Sequence, residues 1–276
     1  MAAPNTISIY QLSRLIGTPT CPTILDVRLD EDFDLDPRHI PTARRIDHRQ
    51  AANRDGPDGL TRGERVVVVC HKGLKLSHGV AAFLRHAGSQ ADVLEGGFTA
   101  WANARQPLVP DAATPPLDDS GRTVWVTRAR PKVDWIACPW LIRRFIDPAA
   151  VFLFVAPSEV TAVAERFGAT PFDVEGVPFS HHGDQCTFDA LIAEFGLATR
   201  PLLRLAAMVR GADTAQPDLA AEAPGLLAAS LGLSRMFPDD LAQLNAGMTL
   251  YDALYRWCRD ATEETHDRFN HRGMVE

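Results

Sequence analysis

The stretch Arg65-Val66-Val67-Val68-Val69-Cys70-His71-Lys72-Gly73-Leu74-Lys75-Leu76-Ser77-His78-Gly79-Val80-Ala81-Ala82-Phe83-Leu84-Arg85 decides the fold of the first half of the chain. Four consecutive valines read as a strand covered on both faces, because β-branched side chains fit a buried pleat. From Val80 the spacing turns helical, with Val80, Phe83 and Leu84 at i, i+3 and i+4. Cys70 therefore stands where a buried strand ends and a helix is about to begin. Unpaired amides and the positive end of a helix dipole lie near such a position. His71, Lys72, Lys75 and His78 add positive charge, and both effects favour thiolate over thiol. Gly73 lets the loop curl so that successive N–H groups form an anion cradle. The competing expectation is that Cys70 is a small buried residue closing a core strand.

The surrounding chain gives the sheet its other parts. Leu12, Leu15 and Ile16 share a helix face that Gly17 can stop. Thr23–Arg28 reads as a strand ending in Asp26 and Arg28, with Asp26 tying down loops. Arg28 is expected to orient the active-site face and joins the anion-binding set. Residues 29–43 read as an acidic loop, Arg44–Asp47 as a short strand and Asn53–Gly63 as a surface loop. Strands alternating with helices give a mostly parallel α/β sheet, whose ligands bind at the carboxyl ends of its strands.

Four motifs in order resemble the rhodanese-type sulfurtransferases. They are Ile24-Leu25-Asp26-Val27-Arg28, His39-Ile40-Pro41-Thr42-Ala43, the Cys70-x-x-Gly73-x-Lys75 loop, and Val93-Leu94-Glu95-Gly96-Gly97-Phe98-Thr99-Ala100-Trp101. The resemblance implies a rhodanese-like domain over 1–106 in which Cys70 is the catalytic residue. Donor and anion would be held by His71, Lys72, Gly73, Leu74, Lys75 and Arg28. Lys75 departs from the arginine common there, and lysine cannot clamp an oxyanion through two parallel hydrogen bonds. Ser77 falls one residue later than the usual serine.

Residues 107–122 are proline-rich and read as a stiff linker. Residues 123–276 form a second, mainly helical α+β domain with a small sheet. Its expected elements are strands at Thr123–Thr127, Val151–Val155 and Pro171–Val174. Helices are expected over Ile136–Ile146 with Pro139 in the first turn, from a Ser158 cap to Phe167, and over Phe188–Phe195. Three more are expected over Leu202–Val209, Leu219–Leu231 and Asp240–Arg259. Arg128, Arg130, Asp134, Arg143, His181 and Asp213 form the candidate site of this half. Asp134, His181 and Asp213 are the candidate ligands of a divalent metal, and the arginines suit an oxyanion. Solvated ion pairs are the competing expectation for each arginine. The run Trp125-Val126-Thr127-Arg128-Ala129-Arg130-Pro131-Lys132-Val133-Asp134-Trp135 through Asp147 resembles the chromate-resistance protein B family. So do Pro171-Phe172-Asp173-Val174, Cys186-x-Phe188-Asp189 and Val209-Arg210-Gly211-Ala212-Asp213.

Net charge −7 and the lack of a basic run argue against nucleic acid as a partner. Five cysteines without a CxxC pair suit a reducing compartment. Neither a secretory signal nor a membrane span is expected, and the cytoplasm is the expected location. Two functions remain in view. One is a sulfurtransferase that forms a Cys70 persulfide from thiosulfate or a similar donor and passes it to a thiol acceptor, with no cofactor. The other is a non-catalytic sensor or accessory protein that binds a metal, or chromate or another oxyanion, through its second half.

Overall fold

A computed structural model describes residues 5–52 and 60–264. Most of the loop expected over Asn53–Gly63 lies outside the described residues. The first half runs β1 Thr6–Ile7, α1 Ile9–Leu15, β2 Thr23–Asp26, α2 Asp30–Asp34, β3 Arg38–His39, β4 Arg44–Arg45 and α3 His48–Ala51. It continues with β5 Arg65–Val69, α4 Lys75–Ala87, β6 Gln90–Leu94, α5 Gly97–Asn103 and β7 Val109–Pro110. Five strands make a parallel sheet in the order β1-β6-β5-β2-β4. β5 is central, registered from Thr23↔Val66 to Asp26↔Val69 on one side and from Arg65↔Gln90 on the other. Its alternation divides the valines between two cores. Val67 and Val69 pack with Ile24, Leu94, Phe98 and Trp101, whereas Val66 and Val68 pack with Val80, Ala81 and Leu84 of α4. Each buried valine contributes roughly 1.5 kcal/mol or more to holding the sheet between its helices.

Three expectations for this half change. Phe83 is 57% exposed, because Ser77, Val80, Ala81 and Leu84 form the buried stripe of α4. The acidic segment after Arg28 contains α2, whose one buried side chain, Phe33, anchors it. Within 107–122, Val109–Pro110 pairs antiparallel with Arg38–His39 and Val109 is buried, so the segment is packed rather than free.

The second half runs β8 Val124–Arg128, α6 Asp134–Leu141, β9 Val151–Val155, α7 Val160–Phe167, β10 Thr170–Pro171, α8 Thr187–Glu194, α9 Arg200–Asp213, α10 Ala223–Met236 and α11 Asp240–Asp260. β10-β8-β9 is a small parallel sheet. α6 begins two residues before the expected start, so Pro139 lies inside it, and a π turn over Ile142–Ile146 follows. Ser158 is no cap: it sits in a short 3-10 turn before α7. The strand expected to Val174 stops at Pro171, and Phe172 bridges to Phe179 instead.

The two halves share one apolar core running from Leu12 and Trp101 to Phe145 and Tyr255. Thr42 donates its amide to the Phe145 carbonyl at 3.0 Å, and Arg14 meets Asp260 at 2.6 Å. Among the described residues no helix is long and apolar enough to cross a membrane.

Candidate functional site

β5 delivers Cys70 to the carboxyl edge of the first sheet. The loop 71–74 then leads into α4. Its base is locked by two close backbone approaches. Gly73 and Gly97 both take positive φ, at 65° and 61°. A Cβ on Gly97 would lie 2.3 Å from the Cys70 carbonyl oxygen and 2.4 Å from the Gly73 amide nitrogen, so only glycine fits there. From the start of α5, Phe98 and Thr99 donate their amides to the carbonyls of Cys70 and His71, each at 3.0 Å. Thr99 Oγ1 donates to the His71 carbonyl as well, at 2.8 Å. The loop carbonyls are thus tied down, while the amides of residues 71 to 77 donate to no acceptor among the described residues. Ser77, from the first turn of α4, places Oγ 3.1 Å from Cys70 Sγ. Cys70 itself is only 5% exposed, a narrower mouth than the loop sequence suggested, because the thiol packs into the cluster of Val68, Val80 and Ala81. Lys72, Leu74, Lys75 and His78 are exposed around it.

Arg28 is not at that mouth. Its side chain is fully buried, and Nε and Nη2 donate to the Asp26 carboxylate at 2.8 and 2.6 Å. The remaining fork reaches the carbonyls of Asp36 and Arg38 at 3.0 and 2.7 Å. The guanidinium carbon stacks 3.7 Å from the centre of the Phe98 ring. Every face of the group is spent on holding α2, β3 and α5 together, which leaves nothing for an anion. His71 has its Nδ1 4.0 Å from Asp32, beyond hydrogen-bond reach.

A second cluster forms where β8, β10, α6, α8 and α9 meet. His181 Nε2 lies 3.2 Å from Asp173 Oδ1, 3.4 Å from Asp213 Oδ2 and 3.6 Å from Asp134 Oδ2. Asp134 and Asp173 are 1% and 3% exposed. The Asp134 carboxylate accepts the amides of Thr187 and Phe188 at the start of α8 and the Cys138 thiol. Asp173 accepts Thr187 Oγ1 at 2.7 Å and pairs with Arg128 at 3.4 Å. Burial, then the charges of Asp173 and Asp213, push Asp134 well above the usual carboxylate range. Burial also raises Asp173 and Asp213 against the opposing pull of His181 and Arg128.

Residues 125–258 match the family model of the ChrB C-terminal domain. Residues 8–104 match the model of the rhodanese-like domain. The chain joins a rhodanese-like domain to a ChrB C-terminal domain. Protein ChrB of Cupriavidus metallidurans is 39% identical over 141 residues, which cover 51% of this chain and 42% of that protein. The chain therefore spans less than half the length of that relative. A rhodanese-related protein from Thermoplasma volcanium aligns at 25% identity and TM-score 0.32, over 38% of this chain and 97% of its own. A thiosulfate sulfurtransferase from Pseudomonas aeruginosa aligns at 26% identity and TM-score 0.32, over 38% of this chain and 19% of its own.

The rhodanese-like domain brings together Cys70, His71, Lys72, Gly73, Leu74 and Lys75 by chain continuity. The serine that touches the thiol, Ser77, is named in the sequence only as a departure from a pattern. In the ChrB C-terminal domain the arginines expected to gather around an oxyanion do not meet. Arg130 takes positive φ and donates to the carbonyls of Ser234 and Pro238 at the end of α10. Arg143 donates to the Ala150 carbonyl and lies over Phe152. Arg128 alone reaches the cluster, stacked on Trp135. Asp134, His181 and Asp213 converge with Asp173, which the sequence reading quoted within a family motif but did not place among the candidate ligands. Its signal was its place in the Pro171-Phe172-Asp173-Val174 motif.

Proposed function

We propose that Cys70 accepts a sulfane sulfur and passes it to a thiol. The observation that carries this reading is the Cys70 loop. A thiol at a strand end has one hydroxyl at 3.1 Å and a run of uncommitted amides beside it, within a rhodanese-like domain. The Cys70 thiolate attacks the outer sulfur of thiosulfate. A Cys70–S bond forms, the S–S bond of thiosulfate breaks, and sulfite leaves with the electron pair. An acceptor thiolate then attacks the outer persulfide sulfur and releases Cys70 as thiolate. The amides of 71 to 77 hold the developing anion, the Ser77 hydroxyl, which donates to the Leu74 carbonyl at 3.0 Å, positions the thiol, and Lys72 and Lys75 draw the donor in. The narrow mouth restricts donors to small ones.

The match to the ChrB C-terminal domain supports a place for this chemistry in chromate resistance. A non-catalytic accessory role is the second reading, favoured by the low exposure of Cys70 and by Arg28 being locked into the core. In that reading chromate itself does not suit the second-half cluster, since three carboxylates repel an oxyanion. Thiocyanate formation from thiosulfate and cyanide decides between the two. The unaltered chain turns over and Cys70→Ser does not. No turnover in the folded chain favours the accessory role.

A further inference from the structure

We propose that Asp134, Asp173, His181 and Asp213 hold a divalent first-row metal ion, bound as Mn(II) or Zn(II). One ring nitrogen carries at most one hydrogen, yet His181 Nε2 faces a carboxylate oxygen from each of three aspartates, at 3.2, 3.4 and 3.6 Å. A proton can satisfy one of them at a time. Ligand atoms around such an ion, with bonds of about 2.1 Å, stand about 3.0 to 3.4 Å apart. The observed spacings are close to that. The ligand atoms of Asp134, Asp173 and His181 all lie within 4.8 Å of one another.

The supports around the set are those of a metal centre rather than of an ordinary surface ion pair. Asp134 is fixed by the two α8 amides and Cys138, and Asp173 by Thr187 Oγ1 and Arg128. Such partners orient ligands before the ion arrives. The fully buried Thr127 hydroxyl, at the carboxyl end of β8 next to Arg128, has no partner. It shares the strand face of Trp125, which packs on Phe172 just before Asp173. His181, 41% exposed in its side chain, gives the ion access from solvent. Carboxylates with one imidazole suit Mn(II) or Zn(II) better than a thiophilic ion. This inference is independent of Cys70.

The test is calorimetric titration of the metal-free full chain with MnCl2, ZnCl2 and MgCl2, with melting temperatures followed alongside. One equivalent of Mn(II) or Zn(II) binds and raises the melting temperature, and Mg(II) binds more weakly. His181→Ala and Asp213→Asn each lose roughly tenfold or more in affinity while keeping the far-UV spectrum of the parent. Asp213→Asn, which relieves like-charge crowding, also raises the metal-free melting temperature. A folded parent chain that binds neither ion overturns the proposal, and so does binding that both variants leave unchanged. Should both variants fail to fold, crystals of the parent chain grown with Mn(II) decide: an anomalous peak at His181 Nε2 supports the site, and none there overturns it.

Discussion

Asp134, in the first turn of α6, accepts the backbone amide of Thr187 at 2.8 Å across 53 positions of sequence. The carboxylate also takes the next amide, of Phe188, at 3.1 Å. It thus caps α8 from another helix, since no side chain of the α8 segment accepts from those two amides. Asp134→Ala removes both bonds at a buried position. Unfolding free energy is expected to fall by about 2 kcal/mol or more, combining a lost cap with stranded buried donors. Urea denaturation checks this, with Asp134→Asn retaining part of the loss.

Arg28 separates a structural arginine from an anion receptor. Arg28→Lys keeps the charge but loses the planar fork shared by Asp26 and two carbonyls. Stability should drop by about 3 kcal/mol, the scale of disrupting a buried pair. Thermal unfolding reads the loss. Any sulfur transfer left in the folded fraction should keep its KM for thiosulfate.

Lys75 is exposed at the start of α4, so Lys75→Ala should change stability by no more than about 0.5 kcal/mol. Its effect should fall on the donor instead, as a raised KM for thiosulfate that salt diminishes in the parent chain. Gly97→Ala should do the reverse. Its Cβ would strike the Cys70 carbonyl, and strain of about 1–3 kcal/mol is expected where the loop is anchored. Steady-state kinetics and melting curves on the two variants separate attraction of the anion from shaping of the loop.

The first sheet and the Cys70 loop were legible because their signals are local. Val66 to Val69 announce a strand buried on both faces, and Gly73 follows within a few residues. Signals that depend on contacts far along the chain were not legible. Asp26 and Arg28 read as a loop tie and a possible ligand, and only the approach of Phe98 and the Arg38 carbonyl shows the arginine to be used up. α2 is too short to show a helical period. Asp173 follows a two-residue strand, so nothing periodic marks it, and its role depends on His181 arriving through the Phe172–Phe179 bridge. Arg130 and Arg143 looked like Arg128 in sequence, but the end of α10 claims Arg130 and the Ala150 carbonyl with the Phe152 ring claims Arg143.

Asp260 ties the two halves together through Arg14 of α1, while Arg256 and Arg259 of its own helix pair with the same carboxylate. Burial alone would raise its carboxyl. Hydrogen bonds from Arg259 and Arg14, and their charges, outweigh that and hold it below the usual aspartate value. The folded chain therefore binds this proton less readily than the unfolded chain. Its stabilising contribution is present above the unfolded value of about 3.9 and is lost as pH falls through the lower folded value. Melting temperature measured from pH 5 downward should decline, and Asp260→Asn should flatten that decline.

The mass of the intact chain after incubation with thiosulfate tests the central claim most directly. Cys70 has four possible competitors, and all are disfavoured: burial pushes the Cys21 and Cys258 thiols up to about 11 and raises Cys138 and Cys186 as well. The unaltered protein should gain one sulfur atom, mapped to Cys70 and removed by dithiothreitol, and Cys70→Ser should gain none. An unchanged mass in the folded parent chain, or the same gain in Cys70→Ser, would contradict the account.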